Sequence, residues 1–165
     1  MKSNEELLAQ AELVIRNFRR QGLTLLMAES CTGGLAAACL TEVPGASDVV
    51  EGGFVTYSNH AKTAMAGVPA DLIDEHGAVS QAVARAMAEG SLRRLEASVA
   101  VSITGVAGPS GGSPDKPVGL VHIAAARQGV ATLHVEKRFG DLGRKAIRLE
   151  SVAAAFDLAL EIASG

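Results

Sequence analysis

Residues 24–41 constrain the fold more than any other stretch of the chain. Thr24-Leu25-Leu26-Met27-Ala28 is a short apolar run bounded by turn residues, the pattern of a buried strand. Glu29-Ser30-Cys31-Thr32-Gly33-Gly34 is a polar turn containing two glycines. Leu35 to Thr41 then reads as a helix, stopped by Val43-Pro44-Gly45. A strand that turns directly into a helix belongs to an α/β protein, and that turn is the usual place for a site.

The rest of the chain repeats the theme. Ser3 followed by Glu6 fits a capping box. Leu7, Leu8, Ala11, Val14, Ile15 and Phe18 recur at helical spacing until Gly22 ends the helix. Val49 to Tyr57 reads as a second strand, with Gly52 and Gly53 marking a bulge or a close approach. Short helices are expected over Asn59–Met65 and Pro69–His76. Ser80 caps a longer one running to Leu95. Ser98 to Ile103 is a β-branched strand, and Thr104 to Val118 is a long Gly/Pro loop of the kind that is functional when ordered. Val118–Ala126 and Val130–Arg138 flank Arg127-Gln128-Gly129 as a hairpin. Asp141 is expected to cap a last helix through Ile147, Ala155, Leu158 and Ile162. Alternating strands and helices with one late hairpin predict a three-layer α/β/α sandwich with a mixed β-sheet. A chain of 165 residues fits one domain, 1–165.

Composition removes several classes of function. The net charge is −3 and no basic run is present, so phosphate-backbone binding is disfavoured. Aromatics are 3% of the chain, which leaves little for base stacking; we expect no nucleic-acid partner. With 48% apolar residues and so few rings, the core must be built from Ala, Val, Leu and Ile. Residues 1–20 carry acids and bases throughout, unlike a signal peptide. No run approaches the roughly eighteen apolar residues of a membrane span. No membrane partner and a cytoplasmic location are therefore expected. Cys31 and Cys39, placed on one helix, would lie about 12 Å apart, too far for a disulfide.

Four stretches can carry chemistry. In Glu29–Gly34, Ser30, Cys31 and Thr32 are all possible nucleophiles, and the helix start behind them offers unpaired N–H groups for an oxyanion or a phosphate. Simple N-capping by Ser30 or Thr32 explains the same residues equally well. In Tyr57-Ser58-Asn59-His60-Ala61-Lys62, the lysine sits one helical turn beyond Ser58. Partly removed from water, it can serve as the base for a serine; alone, it reads as a surface lysine. Thr104-Gly105-Val106-Ala107-Gly108-Pro109 exposes backbone amides that can cradle anionic oxygens, or forms a plain connector. Arg144 and Arg148, at i and i+4, can clamp a phosphate from one helix face, although such pairs are more often a solvated face.

Other chemistry is set aside. The chain has no Gly-rich phosphate loop ending in Gly-Lys-Ser/Thr and no Gly-x-Gly-x-x-Gly. Ser30 does not stand in Gly-x-Ser-x-Gly. Ser113-Pro114-Asp115-Lys116 has Ser-x-x-Lys spacing, but Pro114 and the surrounding glycines argue against the helix that motif needs. His60, His76, His122 and His134 lack ligand spacing, so neither a metal nor a zinc deaminase site is expected.

Taken in order, Glu29-Ser30-Cys31-Thr32-Gly33-Gly34, Gly53-Phe54-Val55-Thr56-Tyr57-Ser58-Asn59 with Lys62, Gly77-Ala78-Val79-Ser80, Thr104 to Pro109, and Lys116-Pro117-Val118-Gly119 closely resemble the CinA C-terminal domain family. The resemblance runs from Glu6 to Ile162. Stand-alone members of that family include nicotinamide-nucleotide amidases. The resemblance implies deamidation of nicotinamide mononucleotide to nicotinate mononucleotide and ammonia, with no cofactor. It implies Ser30 as nucleophile and Lys62 as its base, with Tyr57 and Thr104 beside them. Cys31, Thr32, Gly33, Gly34, Asn59, Gly105, Gly108 and Arg144 are the expected substrate-binding residues, with Arg144 and the Gly108–Gly112 loop at the phosphate. The separate N-terminal CinA domain has no counterpart here, which fits a stand-alone enzyme. A homo-oligomer, dimer or higher, is expected to bury the last helix and the hairpin edge.

Overall fold

The computed structural model describes residues 1–165. Its helices are α1 (Asn4–Gln21), α2 (Leu35–Thr41), α3 (Asn59–Ala66), α4 (Ala70–His76), α5 (Gln81–Leu95) and α6 (Arg144–Ala163). Its strands are β1 (Leu25–Glu29), β2 (Val50–Val55), β3 (Val99–Gly105), β4 (Leu120–Arg127) and β5 (Val130–Arg138). They form one sheet in the order β2-β1-β3-β4-β5. The β2-β1-β3 half is parallel, and β4 and β5 are antiparallel. Helices α1, α2 and α6 cover one face, and α3, α4 and α5 the other. The fold is the expected three-layer α/β/α sandwich with a mixed sheet.

Local sequence accounts for most boundaries. Ser3 Oγ accepts from the Glu6 N–H, while the Glu6 carboxylate takes the Ser3 N–H, closing the capping box. Gly22 ends α1 in the left-handed conformation, with φ 67°. Ser80 Oγ accepts from Val83 N and starts α5. The central strands β1, β3 and β4 are buried on both sides, whereas the edge strands β2 and β5 are partly exposed.

The main core contains 31 buried residues, and its only aromatics are Phe18 and Phe156. Small side chains elsewhere let elements approach closely. Ala84 and Ala88 of α5 pack on Ala124 and Ala126 of β4. A Cβ on Gly90 of α5 would collide with the Ala66 carbonyl at the end of α3, so glycine is required where those helices touch. That contact sets the position of α3, which carries Lys62.

Four expectations need correction. Asp141 does not cap α6: Gly140 and Gly143 both take left-handed φ angles, of 73° and 84°, so the chain turns twice before the helix begins at Arg144 with Gly143 as its cap. β2 ends at Val55 rather than Tyr57: the Thr56 N–H gives the last rung of the ladder to the Glu29 carbonyl at 2.7 Å, and the chain then leaves the sheet. β3 continues past Ile103 to Gly105, paired with Val121 of β4. Cys31 and Cys39 do not share a helix: Cys31 lies in the turn before α2, and both thiols are free.

Candidate active site

Connections leave β1 and β3 in different directions, which opens a crevice at the C-terminal ends of these strands. Ser30 stands there, one residue past β1. Its N–H donates to the Ile103 carbonyl of β3 at 2.9 Å, and its own carbonyl takes the Gly33 N–H at 3.0 Å. Gly33 and Gly34 adopt φ 58° and 98°, conformations that suit glycine and let the turn close within so few residues.

Helix α2 is capped in a way the sequence reading missed. Its cap position is Gly34, and neither Ser30 nor Thr32 caps it. Instead the buried Glu29 carboxylate reaches across from the end of β1. Its Oε2 accepts from Gly34 N and Ala36 N, both at 3.1 Å, and its Oε1 from Ala37 N at 2.9 Å. The helix start therefore already holds an anion, and the expectation that it is open to a phosphate or oxyanion is corrected. One signal was available: an acidic residue ending an otherwise apolar strand has to find donors.

Lys62 approaches Ser30 from the other side. Ser58 caps α3, its Oγ accepting from Ala61 N at 3.0 Å, and Lys62 follows one turn later. Its side chain is 2% exposed, so it is not the surface lysine that its motif alone allowed. Nζ donates to Ser30 Oγ at 3.0 Å and to the Thr56 carbonyl at 2.9 Å. No carboxylate pairs with it. Burial holds its pKa below the ordinary lysine value, which favours the neutral amine.

The neighbouring nucleophile candidates are disarmed. Burial pushes the Cys31 thiol up to about 12, so it carries no thiolate near neutrality. Thr32 is fully buried and donates its hydroxyl to Glu29 Oε2 at 2.5 Å. No protein carbonyl or carboxylate accepts from the main-chain N–H groups of Cys31 and Thr32. Thr104 lies on the opposite wall, where its hydroxyl donates to the Ala78 carbonyl at 2.8 Å.

These groups open into a cleft of about 370 Å³. Ser30, Cys31, Tyr57, Asn59, Lys62, Thr104, Gly105, Gly108 and Arg144 line it, together with Ala78, Val79 and the loop through Gly111. Thr32, Gly33 and Gly34 lie behind the wall. Arg144 Nη1 donates to the Gly108 carbonyl at 2.8 Å and Nη2 to the Tyr57 hydroxyl at 3.0 Å, so it spans the two rims. Arg148 does not join it as a clamp: its guanidinium is turned inward to the Thr32 carbonyl at 2.8 Å, which separates the i, i+4 pair. Ser113 and Lys116 form a tight turn, and the lysine amine goes to the His76 carbonyl at 2.6 Å. The side chains include no cluster of three or more His, Cys, Asp or Glu suited to a metal.

Comparison with known proteins agrees with this architecture. The sequence profile of the CinA C-terminal domain matches residues 8–163. A putative competence-damage inducible protein of Symbiobacterium thermophilum is 56% identical over 127 residues, 77% of this chain and 29% of that protein. A CinA-like protein of an Anaeromyxobacter species is 48% identical over 158 residues, 95% of this chain and 37% of the relative. The chain thus spans about a third of the length of these curated relatives. The crystal structure of the competence/damage inducible protein CihA of Agrobacterium tumefaciens superposes with a TM-score of 0.94 at 45% identity, covering 100% of this chain and 98% of that one. A CinA superfamily protein of Escherichia coli gives 0.90 at 28% identity, covering 98% and 93%.

Proposed function

The chain belongs to the CinA C-terminal domain family, and on that premise we propose that it is an amidohydrolase converting nicotinamide mononucleotide to nicotinate mononucleotide and ammonia. The observation that carries this reading is the 3.0 Å contact between a buried, unpaired Lys62 amine and Ser30 Oγ at the floor of a cleft. An amide is a poor electrophile, so a serine hydroxyl must lose its proton as it attacks. Neutral Lys62 keeps one N–H on the Thr56 carbonyl, and its lone pair takes the Ser30 proton. Oγ bonds to the carboxamide carbon, and the carbonyl oxygen becomes an oxyanion. The main-chain N–H of Cys31, on the cleft wall and given to no backbone carbonyl, supplies a donor for it. Lys62 passes its proton to the nitrogen, the C–N bond breaks and ammonia departs. Water then attacks the ester, Lys62 takes its proton, and the acid and free serine are restored.

Arg144 suits the phosphate end. A guanidinium has five N–H donors and Arg144 spends two on Gly108 and Tyr57, leaving the rest for an anion at the rim. Asn59, Gly105 and the loop through Gly111 supply the remaining polar wall. We take residues 1–165 to act as one domain, and this route needs neither metal nor cofactor.

The test is ammonia release by the purified chain from nicotinamide, its riboside, its mononucleotide and the dinucleotide. The mononucleotide should be turned over fastest, and Ser30→Ala should remove at least about 10³-fold of the rate. Wild-type turnover by Ser30→Ala would end the serine assignment. Nucleotide binding without ammonia would identify a non-catalytic binding module.

A further inference from the structure

We propose that Glu29 is a positioning residue that sets the distance between Ser30 and Lys62, an inference that rests on the amidohydrolase reading. Glu29 is 1% exposed and lies outside the cleft wall. A buried carboxylate is costly unless its oxygens are fully engaged. Here Oε2 accepts from Thr32 Oγ1, Gly34 N and Ala36 N, and Oε1 from Ala37 N. An ordinary helix cap comes from the residue just before the helix. This one comes from the preceding strand, so it ties the end of β1 to the start of α2 and fixes the intervening turn. Ser30 and the Cys31 N–H, which no backbone carbonyl accepts, lie in that turn.

The main chain of the same residue reaches Lys62. The Glu29 carbonyl accepts from Thr56 N at 2.7 Å and from Thr56 Oγ1 at 3.3 Å. The Thr56 carbonyl accepts from Lys62 Nζ, which in turn meets Ser30 Oγ. Glu29, Thr56, Lys62 and Ser30 therefore close a ring of contacts. The Glu29 side chain anchors that ring to α2. Releasing the anchor lets the serine and its base drift apart, and displacements of this kind are expensive in rate: about 1 Å costs on the order of 10²-fold.

Glu29→Gln keeps the shape but faces part of the donor set with an N–H₂ group. We expect kcat to fall by about tenfold or more while KM stays within about threefold, measured well below the melting temperature. Sulfonylation of Ser30 by phenylmethanesulfonyl fluoride should slow by a similar factor, because it needs the same serine and base but no nucleotide. A folded variant with kcat and labelling rate within about twofold of wild type, or one in which only KM rises, would overturn the proposal. If Glu29→Gln does not fold, Thr32→Val decides, since it removes one donor from the same carboxylate at equal volume. A fall of about threefold or more in kcat at constant KM supports the role, and no change refutes it. A wild-type chain that is sulfonylated at Ser30 yet releases no ammonia would fail the functional reading alone, with the labelling rates still deciding Glu29.

Discussion

Lys62 and the His122–His134 pair are both basic groups taken out of water, one on α3 beside the parallel half of the sheet and the other on the antiparallel strands β4 and β5. Burial lowers the pKa of all three from their ordinary values. Their surroundings differ. Lys62 has no charged partner and meets a hydroxyl at the floor of a cleft. The two imidazoles instead meet each other, with Nδ1 of His122 and Nε2 of His134 3.0 Å apart, and neither lines the cleft. Glu136 lies 3.9 Å from His122 Nε2, while Arg85, Lys116 and Arg138 oppose protonation of one ring or the other. Desolvation alone therefore does not mark a site. A displaced pKa becomes useful where a reactive neighbour and space for a substrate accompany it.

The sharpest way to break the comparison is Lys62→Met. The methionine retains the buried stem and removes the amine, and turnover should fall by about 10²–10⁴-fold. Stability should move the other way. The folded-state pKa of Lys62 lies below its unfolded value near 10.5, so below the folded pKa the unfolded chain gains by protonation and the fold bears the full cost. That cost fades as pH rises from the folded toward the unfolded value. At neutral pH the variant should gain about 1 kcal/mol, or about 2–4 °C in melting temperature. In the wild type, kcat/KM should climb with pH as Lys62 loses its proton, with a midpoint below the usual lysine value. A variant that is both active and no more stable would remove the distinction.

The histidine corner makes the intermediate prediction. Its rings resist protonation in the fold, so below about pH 6.5 the unfolded chain binds more protons and stability falls with acidification. His134→Gln should flatten the decline in melting temperature between pH 7.5 and 5 while leaving turnover at pH 7.5 within about twofold. A large loss of turnover would make the pair part of the site.

The smallest effect is expected at Cys31, which touches the cleft but keeps its thiol protonated. Cys31→Ala should change kcat by less than about threefold, and thiol reagents should not inactivate it. A tenfold loss would return Cys31 to the list of nucleophiles.

Much of this molecule was legible in the chain because short-range physics determines it. The capping residues Ser3 and Ser80, the apolar periods of α1 and α5, and the uninterrupted apolar runs of β1 and β3 act within a few residues. They placed the elements and the three layers. The turn carrying Ser30 and the segment carrying Lys62 stood out through their own residue types. Their separation of 32 positions in sequence did not say that they meet. That depends on the order β2-β1-β3, on α3 lying against Gly90 of α5, and on the Thr56 carbonyl that holds the lysine. Glu29 as a cap, the parting of Arg144 from Arg148, and the late start of α6 were likewise settled only in three dimensions. For Glu29 and the two arginines the deciding hydrogen-bond partner comes from another element, because a buried polar group takes whichever partner the packed fold brings within reach; the start of α6 follows from the backbone that Gly140 and Gly143 adopt.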